Sequence, residues 1–494
     1  MAPAHAHAPP HVVVLTSPGT GHIVPVAELA SRLAARHGVT STVVTFANLS
    51  SPAHSSPLAS LPRGVRTIEL PEVPLDDLPA DAHFVTRILT VVRRTLPHLR
   101  ALLRSLADAA GGGVAAFLTD MLCPAALAVA EELGVPRYVF YTSSLMSLAS
   151  LLHNPVIART CTACECRDLP EPVRLPGCPP LHGADLVEPL QDCANPVYAL
   201  VVGLGIDYLR ADAFIVNTFD AMERETLVAF KEQFSDRGVY PPAYAVGPFV
   251  RSCSDEAAEQ YECMRWLDEQ PDGSVLYVCF GSGGTLSTRQ NAELAAGLEA
   301  SGQRFLWVVR HPSDKDCSAG YFGTAAKQYG GDDPLSYLPE GFVDRTKDIG
   351  LCVPLWAPQV EVLNHRAVGG FLSHSGWNST LEAVCAGVPM VAWPLFAEQR
   401  MNAVKLSSSS ELGGVGVALR VRAREEDGVV PREEVATLVR ELMAGEKGAA
   451  ARKNALGLRE EAKKASAPAG PAHQALAAVV RKWIRASGPA LGAA

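Results

Sequence analysis

The chain has 494 residues, 48% of them hydrophobic and 19% charged, with a formal net charge of −9. At roughly 100–200 residues per domain, two or three domains are expected, each able to bury a large core. The acidic balance speaks against a nucleic-acid binder, which would carry a basic patch or domain.

Residues 1–10 are rich in Ala, Pro and His and read as a disordered tail, in which His5 and His7 make only a weak case for a metal. No basic region or apolar run precedes the first strand pattern, so no signal peptide is expected. No stretch reaches the roughly 18 uninterrupted apolar residues of a membrane span. Cysteine occurs 12 times, too thinly for a disulfide scaffold. Reduced thiols in a cytoplasmic protein are the expectation, and the Asn48-Leu49-Ser50 and Asn378-Ser379-Thr380 sequons would then be idle.

In chain order, His11-Val12-Val13-Val14-Leu15 is a short β-branched run, the pattern of a buried strand. "SPGTGH" follows as a Gly/Pro turn. "VPVAELASRLAARHG" then spaces Val26, Leu29, Ala30 and Leu33 as a helix that stops at Gly38. The strand "TSTVVTF" comes next. A helix around 86–109, the strand "VAAFLTD", the helix "CPAALAVAEELG", the strand "RYVFYT" and the helical "SSLMSLASLLH" continue the alternation. After a loop-rich section over 154–196, the strands "AFIVNT" and "YAVGPF" close the first half. The pattern restarts with the strand "GSVLYVCFGS" into a Gly-rich turn, the helix "STRQNAELAAGLEASG" and the strands "RFLWVVR" and "GLCVPLW", with a surface loop at 312–338. Alternating βα units imply parallel sheets with helices on both faces. Two similar α/β domains are expected, 11–248 and 257–472, joined by a linker at 249–256. The last helical segment, within 473–494, is expected to pack back on the first domain.

The chemistry concentrates in "FLSHSGWNSTLEAVCAGVPMVAWPLFAEQ", from Phe371 to Gln399. Here an apolar strand hands over to a helix through His374, Ser375, Gly376, Trp377, Asn378 and Ser379. Helix N-termini present unpaired N–H groups and partial positive charge, so a junction of small residues can seat a phosphate. Gly376 permits close approach, Asn378, Ser379 and Thr380 add short polar side chains, and His374 adds a ring donor. Glu382 is placed to accept from ribose hydroxyls. Upstream, Trp356 offers a flat face for a base and Gln359 an amide; downstream, Glu398 and Gln399 pair an acid with an amide, as sugar hydroxyls require. Together these are the parts of a nucleotide-sugar site.

The stretch from Trp356 to Gln399, "WAPQVEVLNHRAVGGFLSHSGWNSTLEAVCAGVPMVAWPLFAEQ", closely resembles the signature box of the plant secondary-product UDP-sugar glycosyltransferases. The resemblance spans nearly the whole chain. "SPGTGHIVPVAELA", "WLDEQPDGSVLYVCFGSGGTLS", "DPLSYLPEGF" and "MNAVKLS" look like the subgroup that contains hydroquinone and related phenol glucosyltransferases. Ser375 stands where many members have Cys, a change between two small residues. The resemblance implies a GT-B fold: two Rossmann-like parallel-sheet domains facing a cleft, donor on the C-terminal domain and acceptor on the N-terminal one. Carried over, Trp356 stacks on uracil and the Ala357 backbone pairs with its edge. Gln359 and Glu382 hold ribose, and Ser282, His374, Asn378 and Ser379 contact the diphosphate. Trp377, Glu398 and Gln399 hold the sugar; Gln as the last residue of the box resembles the glucose-preferring members.

His22 follows the first Gly turn, at the carboxyl end of the first strand, where open α/β sheets bind ligands. Its titration range suits a general base, and Asp120, closing "VAAFLTD", lies on the same edge to orient it. In the family the matching His and Asp form this dyad. Taken alone, His22 could be a structural turn residue and Asp120 a helix cap. The expectation is an inverting transfer: His22 takes the acceptor proton, the oxygen attacks the anomeric carbon, and a β-glucoside and UDP form. No metal or other cofactor is expected. The partners are a UDP-sugar and a small aromatic acceptor, and the protein is expected to act as a monomer. Met121, Leu122, Tyr141 and Thr142 are candidates for the acceptor pocket, although apolar residues there serve a core equally well.

"CTACEC" (Cys161, Cys164, Cys166), with Cys178 nearby, lacks the paired knuckles of structural zinc sites. A dinucleotide oxidoreductase is the rival class. Gly19 and Gly21 suit the first two glycines of G-x-G-x-x-G, but position 24 is Val and the second strand brings no acidic residue for a ribose. A silent UDP-sugar binder would need His22 or Asp120 to be missing. N-, S- or carbon nucleophiles, and terpenoid or hormone acceptors, stay open.

Overall fold

The computed structural model describes residues 9–49, 57–79, 82–108, 113–160, 166–251, 253, 261–320 and 332–486. Residues 1–8 of the tail, Ser50, Cys161, Cys164 and residues 254–256 of the linker lie outside the described residues. The chain divides into two compact units. One comprises Met1–Cys166, Asp192–Phe249 and Ala465–Ala494; the other comprises Arg167–Gln191 and Val250–Lys464.

The first unit holds seven strands: β1 His11–Leu15, β2 Thr40–Phe46, β3 Val65–Leu70, β4 Ala116–Asp120, β5 Arg137–Tyr141, β6 Ala213–Val216 and β7 Ala243–Ala245. They form one sheet in the order β3-β2-β1-β4-β5-β6-β7, and every pairing is parallel. The inner strands are buried along almost their whole length, since helices cover both faces. The helix Thr20–His37 lays Ile23, Val26, Leu29, Ala30 and Leu33 on the sheet. It ends where Gly38 takes φ 62° and donates its N–H to the Leu33 carbonyl. The helix Leu145–Thr160 is capped from afar, because the buried Glu223 carboxylate accepts the N–H groups of Leu145 (2.7 Å) and Met146 (2.9 Å). The helix Pro471–Ala486 belongs to this unit and supplies Leu476, Val479, Val480 and Trp483 to its core. The Trp483 ring stands edge-on to Tyr138 at 5.6 Å.

The second unit repeats the plan with β8 Val275–Cys279, β9 Arg304–Val309, β10 Gly350–Pro354, β11 Val368–Ser373, β12 Met390–Ala392 and β13 Ala418–Arg420, ordered β10-β9-β8-β11-β12-β13. All of these pairings are parallel too. The helix Thr288–Ser301 begins with the Ser287 hydroxyl accepting from the Gln290 N–H. Residues 167–191 lie with this unit, whereas the sequence places them inside a continuous first domain. Their anchor is non-local: Arg420, ending β13, pairs with Asp185 at 2.5 Å. The α/β class with two parallel sheets is as the sequence predicts.

In each sheet the strand order reverses once, between β1 and β4 and between β8 and β11. At such a switch point the connections diverge to opposite faces and leave a crevice outside the carboxyl ends of the two strands. No described helix is long and apolar enough to cross a membrane.

Candidate active site

The switch point of the first unit carries His22 and Asp120. Beyond β1, Gly19 takes φ 115°, a conformation that L side chains rarely adopt, and caps the helix that brings His22 into its first turn. Asp120 closes β4, adjacent to β1. The His22 Nδ1 lies 2.8 Å from Asp120 Oδ2. Asp120 Oδ1 accepts from the Ser17 hydroxyl at 2.7 Å and from the Leu122 N–H at 2.9 Å. Three donors converge on a side chain with no exposed surface, while the His22 side chain keeps 14% exposure. A carboxylate only accepts, so Nδ1 carries the proton and Nε2 the lone pair, the tautomer a general base requires.

Thr142 Oγ1 lies 3.5 Å from His22 Nδ1 and donates to the Met121 sulfur at 3.4 Å, so Met121 and Thr142 do gather round the pair. Leu122 contributes its backbone N–H to Asp120. Tyr141 is fully buried, bonds Ser147 through its hydroxyl at 2.7 Å and packs edge-on to Tyr208, so its side chain serves the core. On the β2 side, a cavity of about 430 Å³ is lined by Thr16, Ser17, Ile23, Phe46 and Glu69 among others. Cys166 and Cys178 are free thiols, as is every other described cysteine.

The switch point of the second unit carries the junction after β11. Ser375 takes φ 63°, and Gly376 is the N-cap of the helix Trp377–Ala386. Leu355 and Ala397 are two more non-glycine residues at positive φ, at 62° and 53°, immediately before Trp356 and Glu398. Backbone strain of this kind collects at ligand sites. The His374 ring is gripped by glycines: a Cβ on Gly281 would fall 2.5 Å from its Cε1, and one on Gly376 would fall 2.3 Å from its Nε2. Gly281 follows β8 at φ 74°, so Gly281→Ala adds strain to a clash. We expect this variant to lose about 1–3 kcal/mol of stability, as overpacking does, read by thermal unfolding. The hydroxyls of Ser375 and Thr380, both buried at this helix start, have no hydrogen-bond partner among the described residues. Buried polar groups left open beside helix N–H groups suit an anion.

Burial, and then the positive charge of Arg310, pull the His374 imidazole down to about 4 from 6.5. It is therefore neutral at pH 7. The unfolded chain takes up this proton first, so the contribution of His374 to stability is complete above pH 6.5 and falls as the pH drops toward 4. Burial pushes Glu382 the other way, from 4.5 up to about 6. The cost of its buried charge is present above pH 6 and relieved as the pH falls to 4.5. From pH 7 to pH 5 the unmodified protein should lose about 2 kcal/mol more than His374→Gln. Denaturant titrations at the two pH values would check this.

Gln359 opens the helix Gln359–Leu363 and donates to Ser379 Oγ (2.8 Å) and Glu382 Oε2 (2.6 Å), which brings three predicted donor residues together. Trp356 is 57% exposed, with its ring 5.2 Å from Tyr261, while Ala357 beside it is buried. Trp377 is only 3% exposed, so what it can offer a ligand is its backbone N–H. Asn378 shares this first helical turn. Ser282 is exposed in the turn after β8, next to Gly281. Gln399 accepts the N–H groups of Leu395 (2.8 Å) and Phe396 (3.0 Å) through its amide oxygen, leaving its NH₂ for a ligand, and Glu398 caps the same helix. Asn402, from that helix, donates to the Ser375 carbonyl at 3.1 Å and ties the two loops together.

Two participants escaped the sequence reading. Ser17 fixes Asp120, and its signal was a hydroxyl two residues past β1. Arg310 closes β9 within electrostatic reach of His374, and its signal was a lone cation ending the apolar run "RFLWVV".

A family model described as "UDP-glucoronosyl and UDP-glucosyl transferase" matches residues 248–443. The hydroquinone glucosyltransferase of Rauvolfia serpentina is 44% identical over 96% of this chain and 98% of its own. The chain belongs to the plant family 1 UDP-glycosyltransferases. A Phytolacca americana UGT2 structure, complexed with UDP-2fluoro-glucose and pterostilbene, superposes with a TM-score of 0.84 at 40% identity, covering 97% of this chain and 100% of that one. A Polygonum tinctorium UDP-glucosyltransferase capable of glucosylating indoxyl, in complex with 3,4-dichloroaniline, gives 0.86 at 40% identity, over 97% and 99%. This UDP-glycosyltransferase thus shares the GT-B fold of its structural neighbours, and it is a hexosyltransferase. Its two switch points hold a His–carboxylate pair in one unit and an anion-suited helix start in the other.

Proposed function

We propose that this glycosyltransferase moves glucose from UDP-glucose to a hydroxyl of a small aromatic acceptor, with inversion at the anomeric carbon. The observation that carries the reading is the His22–Asp120 pair, set in the base-competent tautomer at the switch point of the first unit. His22 Nε2 takes the acceptor proton as the acceptor oxygen bonds to the anomeric carbon. The bond from that carbon to the UDP oxygen breaks, and its electron pair leaves with UDP. The charge that develops on the leaving diphosphate meets the N–H groups opening the helix Trp377–Ala386, with Ser282, His374, Asn378 and Ser379 beside them. Trp356 and the Ala357 backbone take the uracil, Gln359 and Glu382 the ribose, and Trp377, Glu398 and Gln399 the sugar. The step uses these side chains and no metal. Asp120 holds His22 in register and stabilises the imidazolium that forms.

The acceptor class follows the relatives, which are named for hydroquinone or were solved with pterostilbene. A cavity of about 430 Å³ beside Ser17 is of a size for a small ring system. The 3,4-dichloroaniline complex favours a second reading, transfer to an aromatic amine by the same base. The test is UDP release from UDP-glucose against phenols, flavonoids, coniferyl-type alcohols, chloroanilines and terpenoid alcohols, with EDTA present and products read by mass. A single-glucose adduct on simple phenols supports the reading. Adducts confined to terpenoid alcohols would overturn the aromatic acceptor class, and loss of turnover in EDTA would overturn the metal-free step.

A further inference from the structure

Arg310 directly follows β9, on the same sheet edge as the junction after β11. It is half-buried, and its Nε is shut off from solvent without an acceptor among the described residues. Its Nη1 donates to the Leu355 carbonyl at 3.4 Å. A Cβ on Gly320 would sit 2.9 Å from its Nη2 and 2.9 Å from the Gly283 carbonyl oxygen. The guanidinium thus reaches the loop after β10 and lies by Gly320, which itself abuts the loop after β8, and its charge is felt by His374 after β11.

A desolvated cation is ordinarily paired with a carboxylate. Burial lowers the Arg310 guanidinium, and among the described residues the acidic group that acts on it is the Cys279 thiol. Burial pushes that thiol up, so it is uncharged at pH 7. His374 is neutral as well, and a helix start contributes only partial charge. Among the described residues no carboxylate pairs with Arg310.

We propose that Arg310 is the cation that faces the donor diphosphate and holds the charge of the departing UDP. This rests on the donor-site reading above. Its planar fork suits phosphate oxygens, and its charge grows in value as negative charge gathers on the leaving group.

Calorimetry with UDP and with uridine separates this role from a merely structural one. Arg310→Met should weaken UDP binding by about 10–100-fold and leave uridine within about 2-fold, with kcat falling as KM for UDP-glucose rises. Arg310→Lys, which keeps the charge but loses the fork, should recover part of the UDP affinity. Where Met does not give a folded protein by thermal melt, Arg310→Gln carries the same expectation. Equal losses for UDP and uridine would mean that Arg310 only braces Leu355 and thereby Trp356, and would overturn the proposal, as would unchanged UDP affinity. If the unmodified protein binds uridine and UDP alike, the donor-diphosphate reading itself fails, and this proposal with it.

Discussion

Replacing His22 with alanine should lower kcat by about 10²–10⁴, the range that a positioned general base supplies, while leaving the Kd for UDP-glucose unchanged. The split follows from where the residue sits. His22 opens a helix of the first unit, and the residues proposed to hold the nucleotide sugar belong to the second. Its side chain is partly exposed and belongs to no described hydrophobic core cluster, so truncation should leave the core in place. Steady-state kinetics together with UDP-glucose calorimetry make the test. A drop in affinity equal to the drop in rate would show that His22 binds donor, and unchanged turnover would remove it from the mechanism.

Asp120→Asn should cost nearly as much, about 10²–10⁴ in kcat, and for a reason that the hydrogen bonds dictate. Oδ1 already accepts from the Ser17 hydroxyl and the Leu122 N–H. An asparagine must keep its oxygen there, which turns its NH₂ toward His22. That group can only donate to Nδ1, so the imidazole proton moves to Nε2 and the base loses its lone pair. The substitution is nearly isosteric, so stability should change little. Ser17→Ala tests the same logic from the other side. It frees one lone pair of Oδ1 and relaxes the amide's orientation, so Ser17→Ala/Asp120→Asn should be more active than the sum of the two losses implies. Strict additivity of the two effects would sink the tautomer argument.

Much of this site is legible in the sequence because its parts are local. One strand–turn–helix carries His22, another carries His374 to Glu382, and each turn announces itself in glycines. What is not legible depends on which strands become neighbours. Ser17 matters only because β1 lies beside β4, and Arg310 only because β9 lies beside β8. Tyr141 was a candidate for the acceptor pocket, yet its hydroxyl bonds Ser147 in the core. A strand buried on both faces has no polar alternation to tell which side a ring takes. β12 and β13, with three residues each, and the edge strand β3 are too short or too mixed in burial to stand out. Residues 167–191 follow the second unit through contacts such as Asp185 with Arg420, 235 positions apart, which no local pattern announces.

The terminal helix Pro471–Ala486 has a consequence for how the protein is made. Trp483 and its neighbours complete a core whose other members, from Val12 to Phe249, leave the ribosome first. During synthesis the earlier-born unit therefore waits, with a raw apolar face, until the whole of the other unit has been translated. The later-born unit, whose described core lies between Leu276 and Leu442, takes none of these core residues from the last helix and can close ahead of it. A chain truncated at about residue 465 and released should hold a protease-resistant second unit and a first unit that is still readily cut. Supplying the missing helix in trans as a peptide is then a means of completing the fold on demand.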